Sequence, residues 1–237
     1  MLLTDPNTLH KFFDRVIPDL KENECLLLLL AARKKYCPTL ARSEEMLRRE
    51  VTREKNWDKF LRKVKKLVHV DSLYVDKNGN PIPIDAFGAY IVLDPKDAIK
   101  AWIMLQKEMC DLMYQYVCGD KNALVQLKKV DVRWFSCLHR SKSRKLYWLV
   151  DIDEKNKEVL DEVLSVLDES VVWVSETRGG YHVIVRANER VAKLMFKESV
   201  FDRISEEFEV TIEIHKEPMT PLPGCLQGGF VVREVRI

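Results

Sequence analysis

The sequence predicts a mixed α/β fold in which helices pack on a largely antiparallel sheet, with a helical region in front of this core. Beyond residue 86, short β-prone segments alternate with helical ones. Two of these segments, 171–175 and 180–186, are separated by only a glycine-containing turn, which is typical of a hairpin. Hairpins favour a mixed sheet over a doubly wound parallel one. We therefore divide the chain into a helical region, 1–85, and an α/β core, 86–237.

The composition is that of a globular chain with a sizeable core, since 46% of its 237 residues are hydrophobic. The apolar run 25–32 is stopped by Arg33 and is far shorter than the roughly 18 residues that suggest a membrane helix. The N-terminus lacks the basic and apolar regions of a signal peptide. These features predict a cytoplasmic protein without a membrane partner. The net charge of +2 argues neither for nor against nucleic acid.

The N-terminal region is predicted to consist of helices separated by prolines and polar caps. They are a first helix that ends at Pro18, a second over 20–35, a third that opens at Ser43 and a fourth, amphipathic, over 57–67. Between Arg48 and Lys66 there are nine Lys or Arg residues against three acids. Such an excess of positive charge suits a phosphate backbone, and it equally suits a solvated helix face. The candidate nucleic-acid-binding residues are Arg62, Lys63, Lys66 and, from a basic loop further on, Arg140 and Arg144.

In the core, the period of the apolar residues changes repeatedly between that of a strand and that of a helix. The predicted strands are 68–75, 89–93, 130–138, 146–153, 171–175, 180–186 and 210–215, and the predicted helices are 98–117, 121–129, 158–167 and 190–208. Asp76 to Gly79 is predicted to be a turn.

Two carboxylates, Asp151 and Asp153, stand one residue apart at the end of the predicted strand 146–153. Because a strand repeats every two residues, both side chains project from the same face, with Cα atoms about 7 Å apart. Like charges so close repel unless a cation lies between them. Hard oxygen ligands favour Mg²⁺ or Mn²⁺ over zinc, and the six cysteines include no C-x-x-C or C-x-x-H pair. An acidic strand end that faces water is the alternative.

Two further segments carry chemistry that suits a nucleoside triphosphate. The turn from Ser175 to His182 offers a hydroxyl, glycine backbone, the guanidinium of Arg178 and an imidazole, a set that can approach phosphate oxygens. An ordinary hairpin with a surface histidine is the alternative. Glu213 lies on a short, otherwise apolar strand, where a charge is costly unless something pairs with it. A third carboxylate beside the aspartates would complete a two-metal site, with Lys216 close enough in sequence to contact phosphate.

In this order, the three segments resemble the archaeo-eukaryotic primase superfamily, especially the archaeal small catalytic primase subunit. That family has an apolar strand ending in D-x-D, a hairpin with Ser, Arg or Lys, Gly and His, and then a strand acid followed by a basic residue and a Pro-Gly loop. The resemblance covers about 130–231. It departs from the family pattern in a hairpin one residue longer, in Glu213 where Asp is frequent, and in Cys225 and Gln227 where Ser and His are usual. The zinc element of the family is not recognisable.

The resemblance implies a primase-polymerase core and a template-dependent nucleotidyltransferase, a DNA or RNA primase or a primase-polymerase. It implies that Asp151, Asp153 and Glu213 hold two Mg²⁺ or Mn²⁺ ions. It also implies that the triphosphate is bound by Ser175, Arg178, Gly180, His182 and Lys216. The implied partners are nucleoside triphosphates, a DNA template and primer, and a primase large subunit, helicase or ligase. Two alternatives are a primase-like nucleic-acid-binding protein without activity and a strand-repair polymerase domain.

Overall fold

The chain forms an α/β protein with antiparallel sheets and eight α-helices in a computed structural model that describes residues 2–69, 74–76, 78–196 and 200–236. The helices are α1 Pro6–Val16, α2 Trp57–Val68, α3 Ala98–Val117, α4 Lys121–Leu127, α5 Val130–Arg140, α6 Lys157–Leu167, α7 Glu189–Phe196 and α8 Val200–Phe208. The strands are β1 Glu24–Arg33, β2 Glu44–Thr52, β3 Phe87–Asp97, β4 Tyr147–Ile152, β5 Val171–Glu176, β6 Tyr181–Arg186, β7 Ile212–His215, β8 Met219–Pro221, β9 Leu226–Gln227, β10 Phe230–Val231 and β11 Arg233–Glu234. The predicted mixed fold with largely antiparallel pairing is confirmed.

The first sheet has the order β10-β9-β3-β1-β2, and β8 also pairs with β3. Its β1 is apolar on both faces, as expected for a strand covered on both sides. Leu26, Leu28 and Leu30 belong to a core with α1 and α2, whereas Leu27 and Leu29 belong to a separate core with α3 and α5. The leucine run is therefore shared between two cores.

The helical prediction for the N-terminal region is wrong in two places. The segment predicted as a helix over 20–35 contains β1, and the segment that opens at Ser43 contains β2. A continuous apolar run fits a buried helix and a doubly covered strand equally well, and here helices on both faces of the sheet decide for the strand. Both strands lie before residue 85 in sequence, and β1 pairs with β3, which lies after it. The first sheet thus contains strands from both predicted regions.

The predicted strand 130–138 is also wrong, because this segment is the helix α5. Its β-branched residues Val130 and Val132 are exposed, whereas Cys137 and Leu138 are buried against the first sheet. Packing on the sheet thus overrides the β propensity of the segment. Of the predicted strand 68–75, residues 70–73 lie outside the described residues, as do 197–199 of the predicted helix 190–208.

The second sheet has the order β11-β5-β6-β4-β7, and β5 and β6 form the predicted hairpin. One face packs against α1 and the first sheet, since Leu149, Trp173 and Ile184 share a core with Leu28. The other face is covered by α6, α7 and α8. The two sheets therefore face each other across a common core, and side chains at its border reach from one sheet to the other. No described helix is long and apolar enough to cross a membrane.

Candidate active site

A row of polar side chains crosses the second sheet and joins the three segments singled out in the sequence. Ser175 on β5 is opposite His182 on β6, His182 is opposite Asp151 on β4, and Asp151 is opposite Glu213 on β7. Residues directly opposite each other in an antiparallel pair project from the same face. The two carboxylates, the imidazole and the hydroxyl therefore share one face of the sheet, although they are up to 62 residues apart in sequence.

Asp151 is the central member of this row because imidazoles approach both of its carboxylate oxygens. The Nε2 atom of His182 lies 3.1 Å from Asp151 Oδ1, and the Nε2 atom of His215 lies 3.6 Å from Asp151 Oδ2. The same nitrogen of His215 lies 3.5 Å from Glu213 Oε2. Two carboxylates thus converge on one imidazole nitrogen, a place where positive charge is strongly favoured.

The titration of these groups follows from the contacts. Burial by itself would raise the pKa of Asp151, but the hydrogen bonds from His182 and His215 outweigh it and hold the pKa far below its ordinary value. The hydrogen bond to Asp151 raises the pKa of His215, and the nearby charges of Glu213 and Asp153 add to this effect. His215 therefore keeps its proton to a higher pH than an ordinary histidine does.

We expect the stability contributed by this pair to depend on pH with a definite sign. A histidine with a raised pKa stabilises the fold fully below its ordinary pKa of about 6.5 and loses this contribution as the pH rises through the raised value. His215→Gln should therefore be about 1 kcal/mol less stable than the natural protein near pH 6. The difference should shrink as the pH rises. Urea unfolding between about pH 6 and pH 9 measures it, and a difference that stays constant or grows with pH would contradict the assignment.

Asp153 lies just beyond the end of β4, where the chain bends. Its backbone N–H donates to the carbonyl of Thr211 at 3.0 Å, and its side chain is exposed. Its charge still reaches His215, whose pKa it helps to raise. Asp153 therefore borders the row without belonging to it.

The donor set suits a divalent cation in type. Carboxylate oxygens are the ligands that Mg²⁺ and Mn²⁺ prefer, and the imidazole nitrogen between Asp151 and Glu213 marks the point where the two carboxylates favour a positive charge. Within the described ranges, no three His, Cys, Asp or Glu side chains are grouped closely enough to hold a metal ion. A bound ion would therefore require His215 to leave its place between Asp151 and Glu213.

Gly180, in the predicted phosphate-binding turn, lies directly against the chain that leaves β4. A Cβ atom at this position would be 1.8 Å from the carbonyl oxygen of Ile152 and 2.6 Å from the backbone nitrogen of Glu154, so only glycine fits. Its N–H donates to Thr177 Oγ1 at 3.2 Å. In this structure Gly180 therefore serves the close approach of the turn to the acidic strand end, and its N–H already has an acceptor.

The other predicted side chains of the turn are also engaged within the protein. Ser175 is buried, and its Oγ accepts a hydrogen bond of 2.7 Å from Trp173 Nε1. The backbone N–H of Arg178 donates to Gln227 Oε1 at 3.0 Å, and its guanidinium lies 4.4 Å from the ring centroid of Tyr36 and donates to the carbonyl of Gly228. The turn is thus fastened to the loop that follows β9.

The structure adds residues that the sequence did not identify. His182 Nδ1 lies 3.0 Å from the hydroxyl of Thr220, a fully buried residue of β8 in the first sheet. The hydroxyl of Tyr36 is buried without a hydrogen-bond partner among the described residues. Burial raises the pKa of Tyr36 to about 12, and the nearby charge of Asp151 acts in the same direction. His215 could have been found in the sequence, because it lies two residues after Glu213 on one strand and therefore on the same face. Thr220 and Tyr36 belong to other elements, and no sequence pattern connects them with the row.

The remaining predicted residues lie apart from the row in their contacts. Lys216 Nζ is 4.7 Å from the ring centroid of Phe196, Arg140 pairs with Glu108, and Arg144 pairs with Glu24. The three basic residues of α2, Arg62, Lys63 and Lys66, line one groove together. Arg140 lines a neighbouring hollow that shares Arg49 and Phe135 with this groove.

No protein-family model, curated protein or solved structure matches this chain. The chain is an α/β protein with antiparallel sheets, and one of these sheets carries a row of acids and imidazoles at the border between the two sheets.

Proposed function

We propose that this chain is a metal-dependent nucleotidyltransferase that extends or starts a nucleic-acid strand on a template, of the primase or primase-polymerase type. The observation that carries the proposal is the position of Glu213, directly opposite Asp151 and on the same face, with His182 and Ser175 in the same row. A third acid on the opposite face of the sheet would have excluded a shared metal site.

Asp151, Glu213 and Asp153 would hold Mg²⁺ or Mn²⁺. Bound there, the ions would supply Lewis-acid stabilisation of a triphosphate and a lower pKa for an attacking 3′-hydroxyl. The chain's own contribution is the pair of carboxylates, Asp151 and Glu213, that converge on the Nε2 atom of His215. His182, held on its far side by Thr220, is placed to donate a hydrogen bond from Nε2 to a phosphate oxygen when Asp151 turns to a metal.

Contacts at the border between the two sheets favour the binding of a nucleotide beside the row. Arg178 stacks on Tyr36, and the hydroxyl of Tyr36 is buried and unpaired among the described residues. A buried hydroxyl without a partner costs free energy, which a polar ligand can recover. The guanidinium supplies positive charge for phosphate.

A second candidate is a primase-like nucleic-acid-binding protein without activity. The observation in its favour is that imidazoles approach both oxygens of Asp151, while Asp153 remains exposed. This candidate predicts binding to nucleic acid with a steep salt dependence and no incorporation of nucleotides.

One assay separates these functions. Primed and unprimed single-stranded templates are incubated with labelled ribo- or deoxyribonucleotides and with Mg²⁺, Mn²⁺ or EDTA, and the products are resolved on a gel. We expect template-dependent products with either metal and none with EDTA. Synthesis on the unprimed template identifies a primase. Synthesis on the primed template but not on the unprimed one identifies a strand-repair polymerase. Binding without product under every condition supports the inactive protein.

A further inference from the structure

A basic groove follows the open edge of the first sheet. In the described part of the sheet, β2 pairs only with β1, so its other edge carries unpaired backbone groups. Glu50 lies opposite Leu28, on the side of α2, and Arg49 lies opposite Leu29, on the side of α5. The edge is thus flanked by a helix on each face, and the hollow between them has a volume of about 620 Å³.

Six cations and two acids line this groove. The cations are Arg49, Arg53, Lys59, Arg62, Lys63 and Lys66, and the acids are Glu50 and Glu54. Both acids are already neutralised by the lysines. Glu50 bridges Lys63 and Lys66 at 2.9 and 2.5 Å, and Glu54 pairs with Lys59 at 2.6 Å.

The three arginines are the free cations of the groove. Arg49, Arg53 and Arg62 have no carboxylate within ion-pair distance in the described ranges. Glu50 is mostly buried, and by holding two lysines from α2 it fixes their ammonium groups at the edge of β2. The groove therefore keeps an excess of four positive charges along a concave surface, in which Glu50 holds two of the lysines.

The groove also contains one aromatic ring. Phe135 of α5 is half-buried in its wall, and the guanidinium of Arg49 lies 5.5 Å from the ring centroid. Cations that follow a phosphate backbone beside a ring on which a base can stack are the chemistry by which proteins bind single strands.

We propose that the groove formed by β2, α2 and Phe135 binds the phosphodiester backbone of a single-stranded nucleic acid. The choice of nucleic acid as the partner rests on the proposed nucleotidyltransferase function, whereas the groove and its charge do not. Arg62, Lys63 and Lys66 line this groove, whereas the charges of Arg140 and Arg144 are paired with Glu108 and Glu24.

The test compares two triple variants that remove the same charge. Arg49→Gln, Arg53→Gln and Arg62→Gln are combined in one chain, and the exposed Lys107→Gln, Lys121→Gln and Lys128→Gln in the control. Binding of a labelled 30-residue oligothymidylate is followed by fluorescence anisotropy at several salt concentrations. Three lost phosphate contacts lower the slope of log affinity against log salt by about 2 and weaken binding on the order of a hundredfold at 0.1 M salt. The control should bind almost as the natural protein does.

Other outcomes are equally decisive. An equal loss in both triple variants would show a general effect of charge and overturn the proposal, as would tighter binding of a duplex of the same length or of poly-L-glutamate. Phe135→Leu, which keeps an apolar side chain, should weaken binding of the single strand at least about fivefold if a base stacks on the ring. Asp151→Asn should keep its affinity for the oligonucleotide even if no nucleotide is ever incorporated, so failure of the groove and failure of the proposed enzyme are distinguishable.

Discussion

Asp151→Asn should reduce nucleotide incorporation at least about a thousandfold, because it removes the charge at the centre of the row. Asp151 lies opposite both His182 and Glu213, so no other acid of the sheet can take its place. The amide keeps the size of the side chain and can still accept a hydrogen bond from His182. We therefore expect the variant to remain folded, with a thermal midpoint lowered only by the loss of the charge that pairs with His215. Primer extension with Mg²⁺ and with Mn²⁺ measures the loss.

Asp111→Asn is the matched control for this prediction. Asp111 is exposed on α3, so the variant has the same change of charge away from the second sheet. It should incorporate nucleotides as the natural protein does. Undiminished synthesis by Asp151→Asn would remove Asp151 from the proposed metal site, and equal losses in both variants would point to an effect of net charge.

The elements around this site were predictable because their signals are local. The strand with Asp151, the hairpin of Ser175 and His182 and the helix 98–117 all depend on apolar period, turn residues and caps that lie within one segment. The shared face of Asp151 and Glu213 was also expected, but only through the resemblance. It depends on strand order and register, because a shift of one residue in β7 would turn Glu213 to the other face.

The N-terminal strands could not be identified in the same way. The run of five leucines in β1 has no period of its own, and whether it forms a helix or a strand depends on what covers it. Here α5 covers one face, and α5 was itself predicted as a strand because its valines are β-prone. Because α5 was predicted as a strand, no helix was expected to cover β1, and β1 was therefore predicted as a helix.

The contacts that connect the two sheets lie beyond sequence reasoning for a similar reason. Thr220 reaches His182, and Tyr36 reaches Arg178, only because the first sheet packs against the second. Neither residue belongs to a motif. For Arg144, a sequence signal was present but misleading. Its position in a basic loop predicted a contact with nucleic acid, whereas in the structure its guanidinium pairs with the buried Glu24 of β1.

Arg144→Met should destabilise the protein by about 3 kcal/mol, because it leaves the carboxylate of Glu24 buried without its charged partner. The side chain of Glu24 is fully buried on β1. Its oxygens accept hydrogen bonds from Arg144 Nε at 2.9 Å and Nη2 at 3.0 Å, and from Ser143 Oγ at 2.7 Å. For a chain of this length, a loss of this size lowers the thermal midpoint by about 6–12 °C. Differential scanning calorimetry at neutral pH measures the shift.

Two measurements test the cause of the stability loss in Arg144→Met: its dependence on pH and the effect of a second substitution. Burial alone would raise the pKa of Glu24, but the hydrogen bonds from Lys21, Ser143 and Arg144 lower it overall. A carboxylate with a lowered pKa stabilises the fold above its ordinary pKa and loses this contribution as the pH falls through the lowered value. The difference between Arg144→Met and the natural protein should therefore shrink on acidification, and adding Glu24→Gln should restore part of the stability at pH 7. Arg190→Met, at an exposed site on α7, should change the midpoint little; a loss equal to that of Arg144→Met would show that the buried pair is not its cause.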